Sequence, residues 1–284
     1  MSSTASAATA SRTQKRARVT RDANAGEAIP GVLNDVVIAR ILKPEYFDDP
    51  ADLARLRVVS SAMRDAVAAT GFQFELLDEY RAAELGCLRS LEYLQRKGRL
   101  WRQEYLCEAA ARSGKLEKLK TFRQNNTPWG KTCYAAAKGG HLEVLQWARA
   151  NGCPWDITTC GYAALGGHLE VLQWARVNGA PWNEYTCYYA AKGGHLKVLQ
   201  WARVNGCPWD ERTCTMAAEG GHLEVLQWAR ANCCPWNKFT CEWAAGHGHL
   251  EVLQWARANG RPWDGNTLIA ARTKGHLELV TWSP

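Results

Sequence analysis

The sequence predicts an all-α, helical-repeat solenoid, and three observations carry that reading. A His-Leu pair recurs at His141, His168, His195, His222, His249 and His276, each 27 residues after the one before. A fixed period of this order marks a stacked array of supersecondary units. Each period also holds two stretches with helical apolar spacing, separated by Gly and Pro punctuation. Finally, one such unit is too small to bury the apolar sides of both its helices, so neighbouring units must stack to do so.

The unit from Gly139 to Ala164 shows how each element arises. Leu142, Val144, Leu145, Trp147 and Ala148 form a broad apolar face, with Glu143, Gln146 and Arg149 on the polar stripe opposite. Asn151-Gly152 supplies a left-handed stop, and Pro154 prevents the helix from resuming. Thr159 is the expected N-cap of the next, shorter helix, whose Ala163 and Ala164 let adjacent units approach closely. In a central unit this register places Trp201 in the middle of the apolar face, where truncation to Ala would cost ~3–5 kcal/mol.

The run AAxxGHLEVLQWARxNG resembles the ankyrin repeat's AAxxGHLEVVKLLLxxGA over most of every unit. Ankyrin units are about 33 residues long, so about six residues are missing here, between PWD and TC. The ankyrin family places its β-hairpin finger there. The family's Thr-Pro-Leu-His start is also replaced, by Thr-Cys followed by a variable position that holds Tyr162, Tyr189 or Trp243. The resemblance implies an ankyrin-like helical stack with shortened fingers.

At 284 residues, 46% hydrophobic and 22% charged, the chain can bury a sizeable core. It has no apolar run of the ~18–20 residues that would span a bilayer. Eleven cysteines without a secretory signal point to a reducing, intracellular setting, cytoplasmic or nuclear. Cys133, Cys160, Cys187, Cys214 and Cys241 follow the period and are expected as small core residues, not as a disulfide framework. The net charge of +7 owes much to residues 1–27, a Ser/Ala-rich tail expected to be disordered. Its KRAR run, Lys15 to Arg18, reads as a nuclear import signal, as part of a transit peptide, or as a solvated tail with no address.

Residues 28–73 do not share the repeat and read as helix, Pro-bounded linker, helix. This segment resembles an F-box, LPDDVLxEIL…DLxRLRLVCRxWRxLV. Leu33, Asp35, Val36, Ile41, Leu42, Asp52, Leu53, Arg55, Leu56, Arg57, Val59 and Arg64 stand on matching positions. Asn34 replaces the usual Pro, Met63 replaces the usual Trp, and the linker is longer. The competing reading is a helical cap that shields the first repeat. The stack then occupies residues 74–284, in worn units to about 131 and regular units from 132. After His276 no polar closing unit follows before Pro284, so either the sequence is a fragment or that face pairs with something.

Several patterns imitate chemistry. Cys and His eight residues apart in each regular unit offer one of each per layer, whereas structural zinc draws four ligands from close-set pairs. No metal or cofactor is therefore expected. The paired tryptophans, Trp147 with Trp155 and Trp174 with Trp182, resemble base-stacking platforms, but their strict period reads as core and turn packing. The periodic His is expected to start the second helix and bond the backbone of the adjacent turn. Cys233 occupies the Gly of the Asn-Gly stop, as drift or as a redox switch. With no phosphate loop and no nucleophile beside a base and its orienter, the chain reads as a non-enzyme.

Binding is left as the function. The resemblances imply an adaptor whose stack holds a target protein while Leu33, Ile41, Leu53, Leu56 and Met63 of the head dock a Skp-type linker of a Skp–cullin–F-box ubiquitin ligase. The alternative is a plain scaffold with no ligase connection. Nucleic-acid binding through the tail would call for a continuous basic stripe, which the stack's sequence lacks. The target site is sought where the repeats differ, just before and within the first helix. Lys131, Thr158, Tyr185, Arg212, Phe239 and Asn266 form one track, Tyr134, Gly161, Tyr188, Thr215 and Glu242 a second, and Lys138, Leu165, Lys192 and Glu219 a third. These are expected to line the concave side. From these tracks the candidate contacts are Lys131, Tyr134, Thr158, Tyr185, Tyr188, Arg212, Phe239 and Glu242, and Tyr185, Tyr188 and Phe239, flanked by Arg212, have the aromatic-plus-arginine make-up of binding hot spots; neutral drift of exposed positions is the competing explanation.

Overall fold

In each regular period a short helix runs into a Gly-bounded turn, a second helix follows, and a Pro-Trp turn leads to the next layer. The computed structural model describes residues 77–260, 265–276, 278 and 279, preceded by Met63, Asp65, Ala66 and Ala69. The tail and the head positions Leu33, Ile41, Leu53 and Leu56 lie outside the described residues. Among these residues there are fifteen α-helices and no strand. The fold is an all-α helical-repeat solenoid.

The chain divides into two units, one of residues 1–83 and 87–101, the other of 84–86 and 102–284. The first holds most of α1 (Glu79–Leu85) and α2 (Leu88–Arg96). Asp78 caps α1 by accepting from the Arg81 N–H at 2.7 Å, and Ala82, Ala83, Leu88, Leu91 and Leu94 bury the inner sides of the two helices.

The second unit is the stack. Its layers pair α3 (Glu104–Arg112) with α4 (Leu116–Gln124), α5 (Thr132–Gly139) with α6 (Leu142–Ala150), and α7 (Ile157–Leu165) with α8 (Leu169–Val177). They continue with α9 (Glu184–Lys192) and α10 (Leu196–Val204), α11 (Glu211–Glu219) and α12 (Leu223–Ala231), α13 (Phe239–Gly246) and α14 (Leu250–Ala258), and then α15 (Gly265–Thr273). The first helices pack side by side from α3 through α15 and form the spine. Ala136, Ala137, Ala163, Ala164, Ala190 and Ala191 are fully buried there, and their small side chains permit that approach.

The second helices bury a narrower stripe than the sequence suggests. Val144, Leu145 and Ala148, and their counterparts in α8, α10, α12 and α14, are buried, whereas Leu142 and Trp147 are half-buried. Trp201 is therefore at the edge of the apolar face and not in its middle, and Leu199 holds the central place. The physical reason is the partner of each Trp. Trp147 meets Trp129 edge-on at 5.9 Å, and Trp174 meets Trp155 at 5.9 Å. The pairs thus join the turn of one layer to the second helix of the next, where the sequence paired Trp147 with Trp155. Trp155 instead lies under the guanidinium of its own layer's Arg149, 4.0 Å from the ring centroid, and the same Arg donates to the Cys153 carbonyl.

The caps also differ from expectation. Thr159 is buried inside α7; the N-cap is Asp156, whose carboxylate accepts from the Thr158 N–H at 2.9 Å. Asn183 and Asp210 do the same for α9 and α11. The helix starts directly after the PWD turn, so no finger intervenes. The stop is as expected: α6 ends at Ala150 and Gly152 takes φ 82°. Cys233 holds the same left-handed conformation, φ 63°, which a Cβ disfavours.

The Gly-Gly-His run has a packing cause. His168 starts the second helix, as expected, but its ring hydrogen-bonds the backbone of Lys138 in the preceding layer. Nε2 of His141, His195, His222 and His249 likewise meets the carbonyl of Arg112, Leu165, Lys192 and Glu219 at 2.8–3.1 Å. A Cβ on Gly140 or on Gly166 would lie 2.5 Å from the His168 ring, so the ring fits only between two glycines, one from each layer.

Candidate protein-binding surface

The candidate contacts stand at the N-terminal ends and outer sides of the first helices, which the spine holds in register. Their surroundings differ from layer to layer. Lys131 is exposed, and its backbone N–H donates to Glu108 at 2.8 Å. Lys131, Tyr134 and Thr158 share a shallow cleft of roughly 180 Å³ with Trp155 and Asp156.

Tyr134 is half-buried and turned inward. Its hydroxyl donates to Glu84 at 3.2 Å and its ring meets Tyr162 edge-on at 4.4 Å. Lys138 pairs with Glu84 at 2.9 Å and stands 5.7 and 5.5 Å from the centroids of the two rings. Burial, with the Glu84 charge, pushes the Tyr134 phenol well above its usual range. Burial alone would also raise Glu84, but the Lys138 hydrogen bond and charge outweigh it and hold that carboxyl below its ordinary value. Tyr134 thus closes an internal network and offers only part of its ring outward.

The next two layers present a tyrosine cluster. Tyr185 is 38% exposed and touches Tyr188 at 5.7 Å; Tyr188 meets Tyr189 at 5.0 Å, and Tyr189 reaches back to Tyr162 at 4.8 Å. Burial and then the Tyr162 contact push the Tyr189 phenol up to about 12. Arg212 is fixed over this cluster. Its Nη1 donates to the Tyr185 hydroxyl at 2.9 Å, its Nε donates to Asp210 at 2.8 Å, and its Nη2 reaches Glu184 at 3.3 Å. Hydrogen bonding to Asp210 raises the Arg212 pKa further above its ordinary value. Asp210 therefore has two tasks, because its other oxygen caps α11 through the Arg212 N–H.

Phe239 is 45% exposed at the start of α13, and Glu242 is half-buried with one carboxylate oxygen lacking a partner. The second track is not continuous. Thr215 is buried and donates to the Glu211 carbonyl at 3.0 Å. Gly161 is covered because Tyr189 lies where its Cβ would point, at 3.0 Å. Trp243, absent from the candidates, is 43% exposed and stacks on His247 at 5.7 Å. Its replacement of Tyr162 and Tyr189 at one position is the signal that could have found it. The clamp on Arg212 was missed too, although Asp210 stands two residues before it.

Among the described residues, no group of three or more His, Cys, Asp or Glu side chains could hold a metal ion. No described helix is long and apolar enough to cross a membrane. Cys133, Cys160, Cys187, Cys214 and Cys241 are buried free thiols.

Residues 133–176, from α5 to the end of α8, match the family described as ankyrin repeats (many copies). No curated protein sequence gives a match. Among solved structures, the crystal structure of the human ASB11 ankyrin repeat domain is similar, with 16% identity and a TM-score of 0.44, over 54% of this chain and 82% of that one.

Proposed function

We propose that this chain is a protein-binding scaffold whose recognition surface is built from the variable positions of the first helices. The observation that carries the reading is the cluster of Tyr185, Tyr188 and Arg212, with Phe239 exposed in the next layer. Large aromatic rings left at the surface beside a preorganised guanidinium are the groups that dominate binding energy at interfaces. The residues repeated from layer to layer are taken up by the frame: Trp on Trp and His on carbonyl between layers, Arg on Trp within one. The match to ankyrin repeats over residues 133–176 supports a scaffold over a catalyst. A photo-crosslinking residue placed at Tyr188 should capture partner protein from the source cell's extract, while the same residue at exposed Gln227 of α12 should not. Capture at Gln227 alone would place recognition on the second helices.

The finer reading makes the scaffold an adaptor, with residues 28–73 as an F-box-like head and the stack as the holder of a protein to be ubiquitinated. The matches from Leu33 to Arg64 support it. Met63 is buried, 6% exposed. The full chain should form a complex with a Skp-type linker that Leu53→Arg and Leu56→Arg abolish; absence of a complex with the unaltered chain would leave the scaffold without a ligase.

A further inference from the structure

In three layers a cysteine of the first helix meets a cysteine of the turn that follows the second helix. Cys133 and Cys153, Cys187 and Cys207, and Cys214 and Cys234 all occupy this register, and all six are buried free thiols. In each pair the first-helix thiol lies beside the turn thiol, while Sγ of Cys153, Cys207 and Cys234 donates to the carbonyls of Pro154, Asn183 and Asp210 at 3.6, 3.3 and 3.5 Å. Cys133 Sγ also stands 3.9 Å from the Cys153 carbonyl, and Cys214 Sγ stands 3.9 Å from that of Cys234, in both cases across 20 residues of sequence. The layer between breaks the pattern: Cys160 faces Ala180, 4.0 Å from its carbonyl. Cys107 in turn faces Thr127. Among the described residues no third ligating side chain joins any pair, so these residues do not give the four-ligand geometry of structural zinc.

We propose that these three pairs are oxidative cross-link sites, each able to close into a disulfide inside its own layer. Neighbouring thiols have only a short way to move to the ~2.05 Å of an S–S bond. A suitable oxidant class is a low-molecular-weight disulfide such as glutathione disulfide. The Cys153 thiolate attacks one sulfur of the oxidant, forming a mixed disulfide and releasing one glutathione thiolate. The Cys133 thiolate then attacks the Cys153 sulfur and expels the second glutathione thiolate. The two cysteine protons end on two glutathione molecules, the cysteines are oxidised and the oxidant is reduced. Cys153 and Cys207 suit the attacking role, since the hydrogen bonds from Cys133 and Cys187 hold their thiols below the ordinary value despite burial. Access comes through the turn: Gly152 and Pro154 flank Cys153 and are exposed, as Gly206 and Pro208 are around Cys207, so a local opening bares the thiol.

The full chain is incubated with glutathione disulfide in mildly alkaline buffer, alkylated under denaturing conditions, and analysed by intact mass and peptide mapping. The expected result is the loss of six hydrogens, three linkages at the named pairs, and free Cys107 and Cys160, all reversed by dithiothreitol. Cys153→Ala, which copies Ala180 of the next layer, should fold and lose one linkage while keeping the other two. An unchanged mass, glutathione retained without internal closure, or linkages that recruit Cys160 or Cys233 would overturn the proposal.

Discussion

The second helices and the first helices of the stack have followed opposite rules. LEVLQWARA is repeated unchanged in α6, α12 and α14, and α8 and α10 differ from it by one and two residues. From α5 to α13 the first helices keep only their inward Thr-Cys and Ala-Ala and change almost everything else, from ITTCGYAAL to EYTCYYAAK to ERTCTMAAE. The difference follows from what each helix touches. From α6 to α14 each second helix sets its Trp against the Trp of the preceding turn, and from α6 to α12 its Arg lies over the Trp of its own turn, so a change disturbs packing in two layers at once. A first helix is constrained on the side that packs the spine and is free on the other. Constancy therefore marks the frame, and variation marks the surface available for recognition.

The sharpest way to break that comparison is to cut into the frame. Leu199→Ala removes a fully buried side chain from α10 and should cost ~2–5 kcal/mol, a loss that spreads to neighbouring layers. Trp201→Ala, at the edge of the stripe, should cost less than Leu199→Ala in the same urea titration. A reversed order would show that the Trp contacts, and not the aliphatic stripe, hold the layers together.

Acid should act on the same frame. Burial, reinforced by the charges of His141 and His195 in the adjacent layers, lowers the His168 pKa below its ordinary 6.5. The unfolded chain then binds more protons than the folded one below 6.5, so the stability that neutral His168 contributes is present above that value. It is lost as pH falls through 6.5 toward the lowered folded value. Thermal unfolding midpoints recorded across this range should fall on the acid side, and the fall should shrink in His168→Gln.

The smaller effects lie where frame and surface meet. Asp210→Ala removes the cap of α11 and should cost ~1 kcal/mol of stability. It also releases the guanidinium that Asp210 holds, so chemical denaturation and partner binding should both weaken. A loss of binding with no loss of stability would mean that capping is supplied elsewhere.

Much of the frame was legible because its signals are local or periodic. The period, the Gly stop at Gly152 and the burial of the periodic cysteines follow from single residues and their spacing. What escaped were the aromatic and polar partners that cross from one layer to the next. In an exact repeat the period alone does not say whether Trp155 meets Trp147 before it or Trp174 after it, and only the stacked geometry selects the second. The carbonyl that receives each His and the tyrosine that covers Gly161 likewise belong to neighbouring layers. The cap was missed for a different reason. Asp156 and Thr159 are both good caps, and the helix starts at the earlier one because no finger intervenes. At the surface, the variable positions fall on the first helices, yet Thr215 and Gly161 are covered, and the exposed Trp243 at another varying position was passed over.

The central claim is that the frame supports a recognition surface on the first helices without depending on it. The measurement that tests it most directly is the affinity of the Tyr185→Ala, Phe239→Ala double variant for a captured partner, set beside its melting curve. Binding is expected to weaken by at least ~2 kcal/mol with the melting curve in place. Unchanged affinity in that variant, with binding lost instead on changing Glu170 or Gln173 of α8, would contradict it.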